Sequence, residues 1–208
     1  MGILEGPKRT LNIAGAKIIV ALEHNKISQS DLIKGEVLVT APEYRLAGSS
    51  IKIELREFWF ERIRHGPWAG KRVRINKTHV EVGLLGAFDF EPKSEHRFPF
   101  EVQLPRNCRI STAKTGWRLA VTIDIPKARD PVKEVLLKVQ PAKAFLAIIK
   151  VCEDRLKFQL KLTSWVSGSS KTYFRLSPLE ALRPELDSLQ VGMGQEEGGD
   201  VEGVLTFN

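Results

Sequence analysis

A chain of 208 residues with 42% hydrophobic residues and a formal net charge of +7 is long enough for one large domain or two small ones. It can bury a core without disulfide or metal staples. The two cysteines, Cys108 and Cys152, stand far apart with no CxxC spacing, which argues against a disulfide framework or a zinc site and for reduced thiols in a cytoplasm. The opening MGILEGPKRT lacks the apolar core of a secretory signal, and Gly6 stands where a myristoylation motif wants Ser or Thr. No run approaches the roughly 18 apolar residues that a membrane-spanning helix needs.

Alternation with period two dominates from the start of the chain. Ala16, Ile18, Val20 and Leu22 share one face of a first strand, and GEVLVTAP (Gly35 to Pro42) follows as another after the polar HNKISQSD. In SSIKIELREFWFERIR the apolar set is Ile51, Ile53 and Leu55, then Phe58 and Phe60. That change of parity predicts a β-bulge or bend near Glu57. Short apolar runs follow at Val73 and Ile75, at Val80, Val82 and Leu84, and at Phe88 and Phe90.

HRFPFEVQLP sets Phe98, Phe100, Val102 and Leu104 on one side and Arg97, Glu101 and Gln103 on the other. GWRLAVTIDIP does the same, with Trp117, Leu119, Val121, Ile123 and Ile125 inward and Arg118, Thr122 and Asp124 outward. Pro126 and Pro131 bracket KARD as a loop, because proline lacks the N–H that a central strand donates. Val135, Leu137 and Val139 close this block before Pro141.

One stretch breaks the pattern. In AKAFLAIIKVCED (Ala142 to Asp154) Phe145, Ile148, Ile149 and Cys152 stand at helical spacing. Alternation then resumes with Leu156, Phe158, Leu160 and Leu162, continues in KTYFRLSP, and ends in a hairpin with Leu189, Val191 and Met193 on one arm and Leu205 and Phe207 on the other. Dense strands without intervening helices predict an all-β protein of antiparallel sandwiches. The helix marks a junction between an N-terminal lobe, 1–140, and a shortened C-terminal lobe, 141–208.

Four stretches together resemble the SpoOM sporulation-control family, a microbial branch of the arrestin-like proteins. They are AGAKIIVALEHNKISQSDLIKGEVLV, HRFPFEVQLP, WRLAVTIDIPKARDPVKEVLLKVQP, and the helix followed by LKFQLKLTSW. The resemblance implies two immunoglobulin-like β-sandwich lobes with the helix at their junction, and a cytoplasmic adaptor or regulator that binds other proteins. Family members usually carry a longer second lobe. An open sheet edge in a short one is a template for a homodimer or for an added peptide strand.

No catalytic motif accompanies the strands. His24, His65, His79 and His96 lie in separate segments without HxH or HExxH spacing. Ser167, Ser169 and Ser170 lack the GxSxG elbow and the P-loop spacing. These absences point to no enzyme, no metal and no cofactor, with an enzyme on a sandwich scaffold as a rival reading.

The resemblance to arrestin-like proteins, which use charged residues near the lobe junction, implies Asp124 and Asp130 as candidate polar contacts there, with Arg118 or Arg129 as partners for Asp124. The bland reading places Asp124 on the sandwich surface. The best candidate contact surface is ERIRHGPWAGKRVRINK, where Arg62, Arg64, Lys71, Arg72 and Arg74 flank His65 and Trp68 at a Gly/Pro tip. Such a surface suits an acidic or phosphate-bearing partner, or an anionic membrane surface. The competing structural reading has the tryptophan folded back on the sheet. The basic excess is local and no nucleic-acid motif is present, which argues against DNA or RNA.

Overall fold

A computed structural model describes residues 8–13, 15–126, 132–165, 171–179, 188–195 and 201–207. In chain order the first strands are β1 (Lys8–Ile13), β2 (Ala16–Leu22), β3 (Lys26–Ser28), β4 (Leu32–Thr40), β5 (Leu46–Gly48), β6 (Ser50–Arg62), β7 (Arg72–Leu85) and β8 (Phe88–Phe90). There follow β9 (Glu95–Gln103), β10 (Thr115–Asp124), β11 (Val132–Gln140), the helix α1 (Lys143–Leu156), β12 (Phe158–Trp165), β13 (Thr172–Pro178), β14 (Leu189–Gln195) and β15 (Val201–Phe207).

The described residues form two compact units. The first draws on the described residues within 8–27, 31–103 and 113–138, and the second on those within 28–30, 104–112 and 139–207.

In the first unit the strands assemble into a four-stranded sheet, β1-β2-β4-β9, and a five-stranded sheet, β3-β11-β10-β6-β7. The alternation seen in the sequence makes both. Ala16, Ile18, Val20 and Leu22 are buried on β2, as are Phe100 and Val102 on β9. On the other sheet Ile51, Ile53 and Leu55 of β6 and Trp117, Leu119, Val121 and Ile123 of β10 are buried. Two sheets with one dry face each lose that apolar surface to water only by stacking those faces together. Gly35 marks a close approach: a Cβ there would meet the Ala21 carbonyl oxygen at 2.5 Å.

The parity change in β6 has a different origin from the expected bulge within that strand. β6 pairs with β10 without a break from Ser50 to Trp59. Two irregularities lie on its other side: Ile51 pairs with Leu85 but Lys52 with Gly83, leaving Leu84 of β7 extra, and Leu55 pairs with Val80 but Arg56 with Thr78, leaving His79 extra. The inward row of β6 therefore continues to Glu57, which is buried, and Phe58 and Phe60 point outward. The two short runs at Val73/Ile75 and Val80/Val82 belong to one strand whose parity the bulge at His79 switches.

In the second unit β12-β13-β14-β15 form a four-stranded antiparallel sheet. Its described second layer is α1. Phe145, Ile149 and Cys152 share one side of that helix and form a core with Phe158, Phe174, Leu176, Leu189, Val191 and Met193. Ile148, expected inward, is exposed: it lies at the flank of the buried stripe, roughly 65° around the helix from the centre of Phe145, Ile149 and Cys152. The helix also runs further than the periodicity predicts. Leu156 is its last, exposed residue rather than the first of a strand, and Lys157 ends it in the left-handed conformation (φ 57°).

A buried amide ties this unit together. Gln29 Nε2 donates to the Cys108 carbonyl (2.5 Å) and to Thr172 Oγ1 (3.1 Å), and its Oε1 accepts from the Ala142 N–H (3.2 Å). Gln29 and Thr172 are both buried, so these bonds form away from competing water.

Replacing Gln29 by Leu removes all three side-chain bonds while keeping volume. The expected loss is about 2–4 kcal/mol, read by denaturant unfolding, with faster amide exchange along β13 as the local signature. Unchanged exchange there would refute the structural role given to Gln29.

Candidate functional site

The outer face of β6, β7 and β10 is built from the even-numbered residues of β6. Ala120 on β10 is buried on this face, flanked across the ladder by Glu54 and Glu134. Around it the charges are paired. Arg56 bonds Glu54 and lies 3.7 Å from Glu134, Arg118 bonds Glu134, and Lys52 Nζ bonds Glu81 (3.1 Å). The hydrogen bond to the Glu81 carboxylate raises the Lys52 pKa above its ordinary value.

Further along the same face the character changes. Phe58 and Phe60 stand edge to face with centroids 6.4 Å apart. The Arg74 guanidinium carbon lies 4.3 Å from the Phe58 centroid, that of Arg118 lies 4.5 Å from the same ring, and that of Arg72 lies 5.2 Å from Phe60. Guanidinium planes cover exposed aromatic faces at little desolvation cost, because the group is weakly hydrated and attracted to the ring. Arg118 Nη2 is buried without a hydrogen-bond acceptor, and the Phe58 ring is its neighbour. Gly116 makes room for that ring, since a Cβ at Gly116 would overlap it.

The tip is a hydrogen-bonded turn. Ile63 N–H donates to the Lys71 carbonyl (2.9 Å), Gly70 N–H to the Ile63 carbonyl (2.8 Å), and Ala69 N–H to the Gly66 carbonyl (3.0 Å). Gly66 and Gly70 take positive φ (87° and 84°), a conformation glycine adopts without strain. Trp68 remains 57% exposed and carries the Lys71 ammonium 3.7 Å from its ring centroid. It is therefore not folded onto the sheet.

The structure thus gathers Arg62, Arg64, His65, Trp68, Lys71, Arg72 and Arg74 on one hairpin, all of them exposed. Among the described residues none of the five cations has a carboxylate partner. Glu61, the acid between them, accepts from Trp59 Nε1 (2.6 Å) on the opposite face. The sequence reading did not single out Phe58, Phe60 and Gly116. Their signal was present: Phe58 and Phe60 share the parity of Lys52, Glu54 and Arg56, an outward row.

The junction residues are not brought together in the expected way. Asp124 accepts a hydrogen bond from the Ser49 hydroxyl, whereas Arg118 bonds Glu134. Six residues of extended strand separate Arg118 from Asp124, about 20 Å, which neither side chain spans. Arg129 and Asp130 lie outside the described residues.

His24 and His65 are exposed, His96 stacks on Phe90 (3.7 Å), and His79 Nε2 meets Glu57 Oε2 at 2.8 Å. Among the described residues no three metal-ligating side chains converge. Both cysteines are buried and unbridged, and burial pushes the Cys152 thiol pKa up. No described helix is long and apolar enough to cross a membrane.

These features define an all-β protein of antiparallel sheets, with a charge-sorted sheet face leading to a basic, aromatic hairpin. Residues 9–177 match the family model described as SpoOM protein. The chain belongs to that family, as its four characteristic stretches led us to expect. Its fold is similar to that of a solved structure, Spo0M, a sporulation control protein from Bacillus subtilis. The similarity has 18% identity and a TM-score of 0.71, over 94% of this chain and 91% of that one. No curated protein matches the chain.

The stacking of Arg74 on Phe58 is measurable. A double-mutant cycle with Phe58→Ala and Arg74→Ala is expected to give a coupling of about 0.5–1 kcal/mol in denaturant unfolding. Gly116→Ala is expected to cost about 1–3 kcal/mol by driving the ring off its seat. Additive single substitutions would show that the ring and guanidinium do not interact in solution.

Proposed function

We propose that the protein is a non-enzymatic, arrestin-like regulator that works in the cytoplasm by binding another protein through the basic hairpin. The observation that carries this reading is the sorting of charge on one sheet face. Among the described residues Lys52, Arg56 and Arg118 in the middle of that face are matched by carboxylates, and the five cations at the hairpin are not. Three of the five, Lys71, Arg72 and Arg74, are held on aromatic rings, and cations outside an ion pair lose little on meeting an anionic partner. Family membership supports a regulatory role, and the printed description of the Bacillus structure, sporulation control, supports it for that relative. Buried, unbridged cysteines accord with a reducing compartment.

A second reading rests on Trp68. An exposed tryptophan beside Lys71 at a turn tip is also the composition of an interfacial anchor on an anionic membrane.

Affinity capture from the native cell with the wild-type chain, and with Arg62, Arg64, Lys71, Arg72 and Arg74 all changed to Glu, tests both. Protein partners retained by the wild type and lost from the variant are the expected result. Sedimentation of the wild type with anionic vesicles, together with an identical capture profile for both chains, would replace the first reading by the second.

A further inference from the structure

The hairpin carries more than loose charge, because β7 is the outermost strand of the five-stranded sheet. One side of β7 is hydrogen-bonded to β6, and among the described residues no strand is hydrogen-bonded to the other. Between Arg72 and Thr78 the pairing to β6 is regular, from Arg72 opposite Arg62 to Thr78 opposite Arg56, and the bulge at His79 ends it. That leaves seven consecutive residues of regular edge, about 23 Å of strand. The outer face of this stretch carries Arg72 and Arg74, two residues apart and stacked on Phe60 and Phe58. The inner face carries Val73 and Ile75, both half-buried.

We propose that this edge receives an extended acidic segment of the partner as an added β-strand. The proposal rests on the protein-binding reading above and names its mode. A ring-stacked guanidinium keeps its N–H edges directed outward, held in place for a carboxylate before binding. The free backbone groups of β7 supply the ladder. Strand alternation then sets the partner's pattern: acidic side chains at every second position, meeting Arg72 and Arg74, with apolar side chains between them, meeting Val73 and Ile75. A second copy of this chain is disfavoured at the same edge. Two β7 strands laid side by side would bring Arg72 and Arg74 of both copies onto one face, and like charges across a ladder repel.

The test uses a soluble peptide of about nine residues with alternating Glu and Val, a length that covers the edge. Two control peptides carry backbone N-methyl groups on one or the other set of alternate residues. N-methylation removes ladder donors and leaves every charge in place. The wild-type chain is expected to bind the parent peptide and to show slowed amide exchange within Arg72–Thr78. One methylated peptide is expected to bind at least about tenfold more weakly than the other. Arg72→Glu with Arg74→Glu is expected to weaken binding of the parent by about tenfold or more. The milder Arg72→Gln with Arg74→Gln pair, with an unchanged unfolding midpoint, guards against a folding defect.

Equal binding of both methylated peptides, or unchanged exchange along β7, overturns strand addition. If a native partner is still captured through the hairpin in that case, the binding reading stands and only its mode falls. Peptide binding with no hairpin-dependent capture would sink the reading itself. Binding to phosphatidylserine-containing vesicles but to none of the peptides would assign the edge to a lipid surface and overturn the proposal.

Discussion

Glu57 is where the interior of the first unit ends. The inward row of β6 is apolar at Ile51, Ile53 and Leu55, and its next member is a buried carboxylate. An unmatched buried carboxylate costs several kcal/mol, so the strand can continue only if a partner is brought to it. The bulge in β7 does this by placing His79 2.8 Å from Glu57, with its ring 4.9 Å from Trp117. The same extra residue re-aims the rest of β7. Without it the inward set Val73, Ile75 would continue through Lys77 to Glu81. With it, Val80 and Val82 point inward and Glu81 turns outward to Lys52. One inserted residue thus keeps a second carboxylate out of the core and completes an ion pair on the opposite face.

Beyond Glu57 the hairpin has no core beneath it, and its stability has to come from its own faces. On the outer face two phenylalanines are covered by guanidiniums rather than by another sheet. This gives the cations a structural task that leaves their hydrogen-bonding edges available. An ion pair would hold an arginine equally well, as Glu134 holds Arg118, but it would use those edges. The contrast between the middle of the face and its end is therefore chemical as well as electrostatic. In the middle, donors are spent on carboxylates; at the hairpin, they are held in place and unspent.

The sandwich was legible because burial on a strand follows a two-residue period; β9 keeps that period over its whole length, and β2 and β10 depart from it mainly at small residues, Ala21, Gly116 and Ala120, that are buried on the other face. Legibility failed where an apolar side chain is covered by something other than core. Phe58 and Phe60 read as a change of inward face, yet they lie outside under arginines. Ile148 and Leu205 are apolar and exposed, and period alone cannot tell such a residue from a buried one. Pairing was the other blind spot. Alternation shows that Arg118 and Asp124 share a face, but their distance apart along β10 decides that they cannot meet. The hairpin cations were legible as a charge cluster. What the sequence could not show was that Glu61 turns away from them to Trp59.

The second unit depends on residues far from it in the chain. Gln29 belongs to it although it lies between β3 and β4, and its amide joins the carbonyl of Cys108, the hydroxyl of Thr172 and the first N–H before α1. Its own N–H donates to the Gln140 carbonyl (3.0 Å). A fragment beginning at Val139 would keep α1 and the four-stranded sheet but lack this amide and the Leu104–Thr112 segment. The bonds that Gln29 makes would pass to water at sites that are dry in the whole chain, at the usual cost of exposing or orphaning buried polar groups. The C-terminal unit is thus an autonomous core only in part: its apolar cluster lies within the last third of the chain, while the buried Gln29 amide that joins Cys108, Ala142 and Thr172 comes from outside it.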